Sequence, residues 1–173
     1  MLKSAFTIVK DEISGIMNKY LLNAILIAAF GLFAGIFFDV NAQTVSGSIG
    51  NGAVLRGGSA KGSIILNIPG GLHVNSSRPN SEYAIPTTVR LIGTGVQAVG
   101  ISFPRGKNRR FQFSDESINV YEGRVAIPFT ITVPKNFKGN TLRIRARVRY
   151  QACTEEVCYP PQSKEVTLTA RVK

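Results

Sequence analysis

Apolar and polar positions in this chain follow two regimes that meet near residue 42. From Tyr20 to Phe38 the sequence is apolar and uncharged, interrupted only by Asn23. A run of this length is long for the core of a signal peptide and just long enough to cross a bilayer. It follows a polar stretch, residues 1–19, that carries Lys3, Lys10 and Lys19 beside Asp11 and Glu12. After it, Val40 and Ala42 fit a small-residue cleavage pattern. Residues 1–42 are therefore expected to be a signal peptide cleaved after Ala42, or else a single anchor through residues 20–38 with its N-terminus inside. Both readings put residues 43–173 outside the cytoplasm.

Beyond that point the period changes to two. Residues 43–60 are rich in Gly and Ser, with one apolar pair at Val54 and Leu55, and read as a linker or a loose first strand. From residue 61 short extended runs alternate with Gly and Pro punctuation. They are expected at Ser63–Ile68, Leu72–Asn75, Pro86–Ile92, Val96–Phe103, Arg110–Phe113, Ile118–Tyr121, Arg124–Val133, Thr141–Gln151 and Glu165–Val172. No sustained helical period follows residue 43. This spacing predicts an all-β domain over residues 61–173, an immunoglobulin-like β-sandwich. The clearest strand sets Leu142, Ile144, Ala146, Val148 and Tyr150 on one face and Arg143, Arg145, Arg147 and Arg149 on the other. The arginine face reads as a docking stripe for an acidic partner or as a solvated face that resists edge-to-edge association.

Charge follows the same division. The net charge of +11 lies wholly in residues 43–173, which hold 18 Lys and Arg against 7 Asp and Glu. Such a balance suits anionic surfaces or acidic partners. An exported chain with no recognition motif is not expected to bind nucleic acid. The exported part is long enough for one domain with its own core, so no metal or dense disulfide framework is needed to hold it.

Candidate chemistry is concentrated in residues 150–161. Cys153 and Cys158, the two cysteines of the chain, have four residues between them and lie between the last two expected strands. A turn of that length can bring two Cα atoms within the roughly 4.4–6.8 Å a disulfide needs. So small a ring constrains little of the unfolded chain, which weakens a purely structural purpose. Tyr150 and Tyr159 bracket the pair and can shield the sulfurs, while Pro160 and Pro161 stiffen the exit. Controlled access to a selected sulfur is what thiol–disulfide exchange requires. A plain structural disulfide in an oxidising compartment is the other reading. Glu155 and Glu156, between the cysteines, disfavour a thiolate and so argue for a modest nucleophile. With His73 the single histidine, neither a catalytic triad nor a His-rich metal site stands out. Copper(I) on the two thiolates is a further candidate, but no cofactor is expected.

Tyr150-Gln151-Ala152-Cys153, followed by Cys158-Tyr159-Pro160-Pro161, resembles the cysteine motif in the N-terminal domain of DsbD-type thiol:disulfide interchange proteins. Supporting segments occur in the same order: Gly71 to Ser76, Ile85-Pro86-Thr87, Phe103-Pro104 and Val120 to Gly123. The resemblance covers about residues 61–172. It implies an immunoglobulin-like domain that accepts electrons from a thioredoxin-like protein and reduces oxidised client proteins in the periplasm. It further implies that Cys158 forms the mixed disulfide with partners and that Cys153 resolves it. A cap loop would correspond to Phe111–Tyr121, with Phe111 or Phe113 as the shielding aromatic or as ordinary core. This chain has one residue fewer between its cysteines than the usual motif. The family's membrane and thioredoxin-like domains are not among these residues, so the expected electron donor is a separate protein.

Overall fold

The computed structural model describes residues 42–93 and 95–173, the side chains of residues 97–99 excepted. The expected signal or anchor segment lies outside the described residues. Among the described residues no helix is long and apolar enough to cross a membrane.

The chain is all β. Its strands are β1 (Thr44–Ile49), β2 (Ala53–Val54), β3 (Ser59–Asn67), β4 (His73–Asn75), β5 (Thr88–Gly93) and β6 (Gln97–Val99), then β7 (Lys107–Phe111), β8 (Ser114–Tyr121), β9 (Arg124–Thr132), β10 (Thr141–Tyr150), β11 (Ala152–Cys153) and β12 (Gln162–Val172). They form three sheets, ordered β1-β3-β9-β6, β2-β12-β10-β5 and β11-β4-β8-β7. The first two make the sandwich.

Strand alternation builds its core. Ile64 and Leu66 of β3 and Ile127, Phe129 and Ile131 of β9 share one buried cluster with Leu142, Ile144, Ala146 and Val148 of β10 and Leu168 and Ala170 of β12. Gly62 belongs here for a steric reason, since a Cβ at that position would stand 2.2 Å from the Phe129 ring.

The third sheet grows out of the sandwich. β3 and β9 pair antiparallel from Ser59↔Thr132 to Asn67↔Arg124. The same two chain directions continue as β4 and β8, with Val74 opposite Tyr121. Pro69-Gly70-Gly71 breaks one member of this ribbon, and Gly123 at φ 64° lets the other bend. β10 crosses from the second sheet in the same way, passing through Gln151 into β11, which pairs with β4. Strands from both faces thus converge on the end that carries the cysteines.

Three expectations sharpen. Residues 44–49 form a strand paired with β3 along its whole length, from Thr44↔Asn67 to Ile49↔Gly62. Extended chain expected over Val96–Phe103 forms a strand only at Gln97–Val99, because Gly100 at φ 66° turns the backbone, and beyond it Ser102 N–H donates to Pro128 O of β9 at 2.9 Å. β10 lies between β12 and β5, so its arginines guard a sheet face and not an edge. On that face Glu165 meets Arg147 at 2.5 Å and Arg145 at 3.9 Å.

Candidate redox site

Cys153 and Cys158 are joined in a disulfide, with Cα atoms 4.0 Å apart. They face each other as an antiparallel β-bridge. The backbone bonds lie on either side of the pair: Thr154 N–H donates to Val157 O and Tyr159 N–H to Ala152 O, each at 2.8 Å. A non-hydrogen-bonded pair of this kind holds its Cα atoms near 4.5 Å, which accounts for the short span. The turn between the cysteines is closed by Thr154, whose hydroxyl accepts from the N–H groups of Glu156 at 3.2 Å and Val157 at 3.1 Å.

Gln151 locks the base of this loop. Its Oε1 accepts from Asn75 Nδ2 at 3.0 Å and from Ile85 N–H at 3.3 Å, and its Nε2 donates to Tyr159 O at 3.2 Å. One side chain therefore ties the strand before the cysteines to the strand after them and to β4.

The two sulfurs have unlike surroundings. Cys153 is fully buried on β11, while Cys158 is half-buried in the loop. Val157 and Tyr159, the neighbours of Cys158, are exposed apolar side chains.

Cys153 is the strand partner of His73. Cross-strand partners point to the same face with Cβ atoms about 4.5–5.5 Å apart, so the imidazole neighbours the buried sulfur. Phe111 stacks on His73 with ring centroids 4.0 Å apart, and Phe113 stacks on Phe111 at 5.2 Å. Phe111 is buried with Ile118 and Val120 in a cluster of its own under the β7–β8 hairpin, and Phe113 is partly exposed at its turn. His73 Nε2 is buried without a hydrogen-bond partner among the described residues. Burial holds the His73 pKa below its usual value, and the Arg109 charge adds to this; Glu155 and Glu122 pull the other way.

Arg109 joins the hairpin to the cysteine loop. Its guanidinium contacts Glu122 at 2.7 Å and Glu155 at 3.1 Å, and lies 5.9 Å from the Phe111 ring centre. Glu155 is thereby neutralised in part, which softens the repulsion a thiolate at either cysteine would meet.

Of the expected site residues, Cys153, Cys158, Phe111 and Phe113 come together through His73. Tyr159 adjoins Cys158. Tyr150 is fully buried in the sandwich core, and its hydroxyl donates to Gln43 Oε1 at 3.4 Å; burial raises its pKa. The sequence offers His73 as a triad member or a metal ligand and Gln151 as part of the cysteine motif, but gives no signal for Arg109 or for the partners these side chains take, most of them distant along the chain. No group of three or more His, Cys, Asp or Glu side chains is placed to hold a metal ion among the described residues. A groove of about 850 Å³ beside Thr88, Phe103 and Tyr121 is lined by neither cysteine.

Residues 56–170 match the family described as thiol:disulfide interchange protein DsbD, N-terminal. The chain belongs to that family. The fold agrees with a solved structure, the N-terminal periplasmic domain of ScsB from Proteus mirabilis, at a TM-score of 0.54 and 11% sequence identity. That likeness covers 75% of this chain and 47% of the solved one, so the chain spans about half of its structural relative. No curated protein matches the sequence.

Proposed function

We propose that this DsbD N-terminal family member performs thiol–disulfide exchange outside the cytoplasm through Cys153 and Cys158. It takes two electrons from a thioredoxin-like donor and passes them to oxidised client proteins. The observation that carries this reading is the asymmetry of the pair: one half-buried cysteine in a loop, one fully buried on the strand beside it. Exchange requires one sulfur that a partner can reach and a second that meets only the first. Cys158 is therefore the partner-facing sulfur and Cys153 the resolving one. Exposed Val157 and Tyr159 give a partner protein apolar surface beside the reactive atom. In this reading Phe111 and Phe113, stacked in turn from His73, and the aromatic body of Tyr159 are the screening side chains. Residues 20–38 supply the export signal or tether.

Two variants test the reading. Cys158→Ser abolishes reduction of a protein disulfide, and Cys153→Ser accumulates a covalent adduct with the client, visible by mass spectrometry. Wild-type rates in both variants would sink the proposal and leave the disulfide as a staple. The reduction potential gives an independent check: exchange proteins outside the cytoplasm fall roughly between −120 and −270 mV, and structural disulfides below about −300 mV.

A further inference from the structure

We propose that His73 is the proton acceptor for Cys153 when that sulfur resolves a mixed disulfide, an assignment that rests on the exchange reading above. Three observations point to it. His73 is opposite Cys153 in the β4–β11 pairing, so the two side chains share a face. Only 2% of the residue is exposed, and its Nε2 has no hydrogen-bond partner among the described residues. A buried polar atom without a partner costs about 1–3 kcal/mol, so one retained on the strand partner of a reacting cysteine calls for an explanation. Finally, the rings of His73 and Phe111 are nearly parallel, at 11°. Stacking covers a face of the imidazole and leaves its nitrogens at the edge, fixed in direction.

Reduction supplies what Nε2 lacks. A Cys153 thiol is an S–H donor, and the neutral imidazole is an acceptor. In the resolving step Cys158 is bonded to a client sulfur. Cys153 passes its proton to His73 Nε2, and the resulting thiolate attacks Cys158 Sγ. The Cys153–Cys158 bond forms, the Cys158–client bond breaks, and the client sulfur leaves with the electron pair and takes up a proton. The dithiol has been oxidised by two electrons and the client disulfide reduced by two.

The charged groups around His73 suit this role. Glu155 in the cysteine loop and Glu122 after β8 stabilise the imidazolium once it forms, and Arg109 of β7 opposes it while bridging both carboxylates. Burial keeps the ring neutral, and so able to accept, at neutral pH.

The test follows oxidation of the reduced full-length chain by oxidised glutathione, with rapid acid quenching and mass spectrometry to separate capture from resolution. In the wild type, resolution holds its rate as pH falls from 8 and drops only below about 6.5, the usual His value. In His73→Gln and His73→Phe the break moves to the thiol range near 8.5, and resolution at pH 7 slows about 30-fold, the inverse of the thiolate fraction there. His73→Phe keeps an aromatic ring against Phe111, so lost packing does not reproduce the shift. Capture of glutathione in a Cys153→Ser background stays unchanged by either substitution. Wild-type rates and an unmoved break in both variants would overturn the role of His73 and leave the exchange reading intact. Failure of the wild type to form any glutathione adduct would remove both. If neither variant folds, the wild-type profile decides: a break below 6.5 upholds the assignment, and a rate governed only by a break near 8.5 refutes it.

Discussion

Between the first two sheets, Ile64, Leu66, Ile127, Phe129, Ile131, Leu142, Ile144 and Val148 are buried together, each at 2% exposure or less. Under the β7–β8 hairpin the separate buried cluster consists of Phe111, Ile118 and Val120, with Ala84 at its margin. The sandwich is held by broad apolar burial. The end carrying the cysteines joins that core through Val74, Tyr121 and Ala152; its outer part is held by a small apolar cluster, stacked rings, the Gln151 hydrogen bonds and the Arg109 ion pairs. Regions with little buried apolar area open locally at lower free energy than a core. The comparison teaches that local opening costs least at the β7–β8 hairpin, on the end that carries the cysteines.

The largest expected effect separates the two regions directly. Ile144→Ala removes a fully buried side chain and costs about 2–5 kcal/mol in denaturant unfolding. Phe111→Ala costs less global stability but speeds reduction of Cys153–Cys158 by dithiothreitol severalfold. Equal stability losses, with no change in reduction rate, would show that hairpin and sandwich form one cooperative unit.

A smaller effect depends on pH. The folded-state pKa of His73 lies below its unfolded value, so the unfolded chain binds the proton first as pH falls. The contribution of neutral His73 is intact above about pH 6.5 and is lost progressively from there down to the folded pKa. Thermal melting of the wild type should show this decline against His73→Phe, which lacks it. Parallel melting curves for the two proteins between pH 7 and 4 would remove the burial argument.

The smallest effect belongs to the latch. Arg109 is partly exposed, so Arg109→Ala lowers stability by only about 0.2–1 kcal/mol. The difference should shrink in 1 M salt, where screening reaches about 3 Å. A loss as large as that of Ile144→Ala would mean that ion pairs, and not the apolar cluster, carry the hairpin.

The sandwich was legible because its long strands bury one face. The alternation in β10, written as Leu142 to Val148 against Arg143 to Arg149, fixes both the period and the inner side. β1 was ambiguous for the opposite reason: of its residues only Ile49 is buried, so its pairing runs through backbone groups that composition does not reveal. At the site, the cysteines, Tyr159 and the two phenylalanines could be singled out from spacing and resemblance. The role of His73 could not, since it sits on a three-residue strand and meets Cys153 from 80 positions away along the chain. Arg109 and Glu155 are likewise ordinary charges until the hairpin brings them within 3.1 Å. Pairing between distant segments is the information that periodicity does not carry.

The hydrogen bonds that frame the cysteine pair, Thr154 to Val157 and Tyr159 to Ala152, belong to the backbone and do not pass through sulfur. Opening the S–S bond leaves the outline of the loop in place. A protein that recognises this surface by shape meets the same surface whether two electrons are present or absent. Under the exchange proposed above, recognition is blind to redox state, and the direction of traffic is set by which partners are oxidised or reduced and how abundant each is.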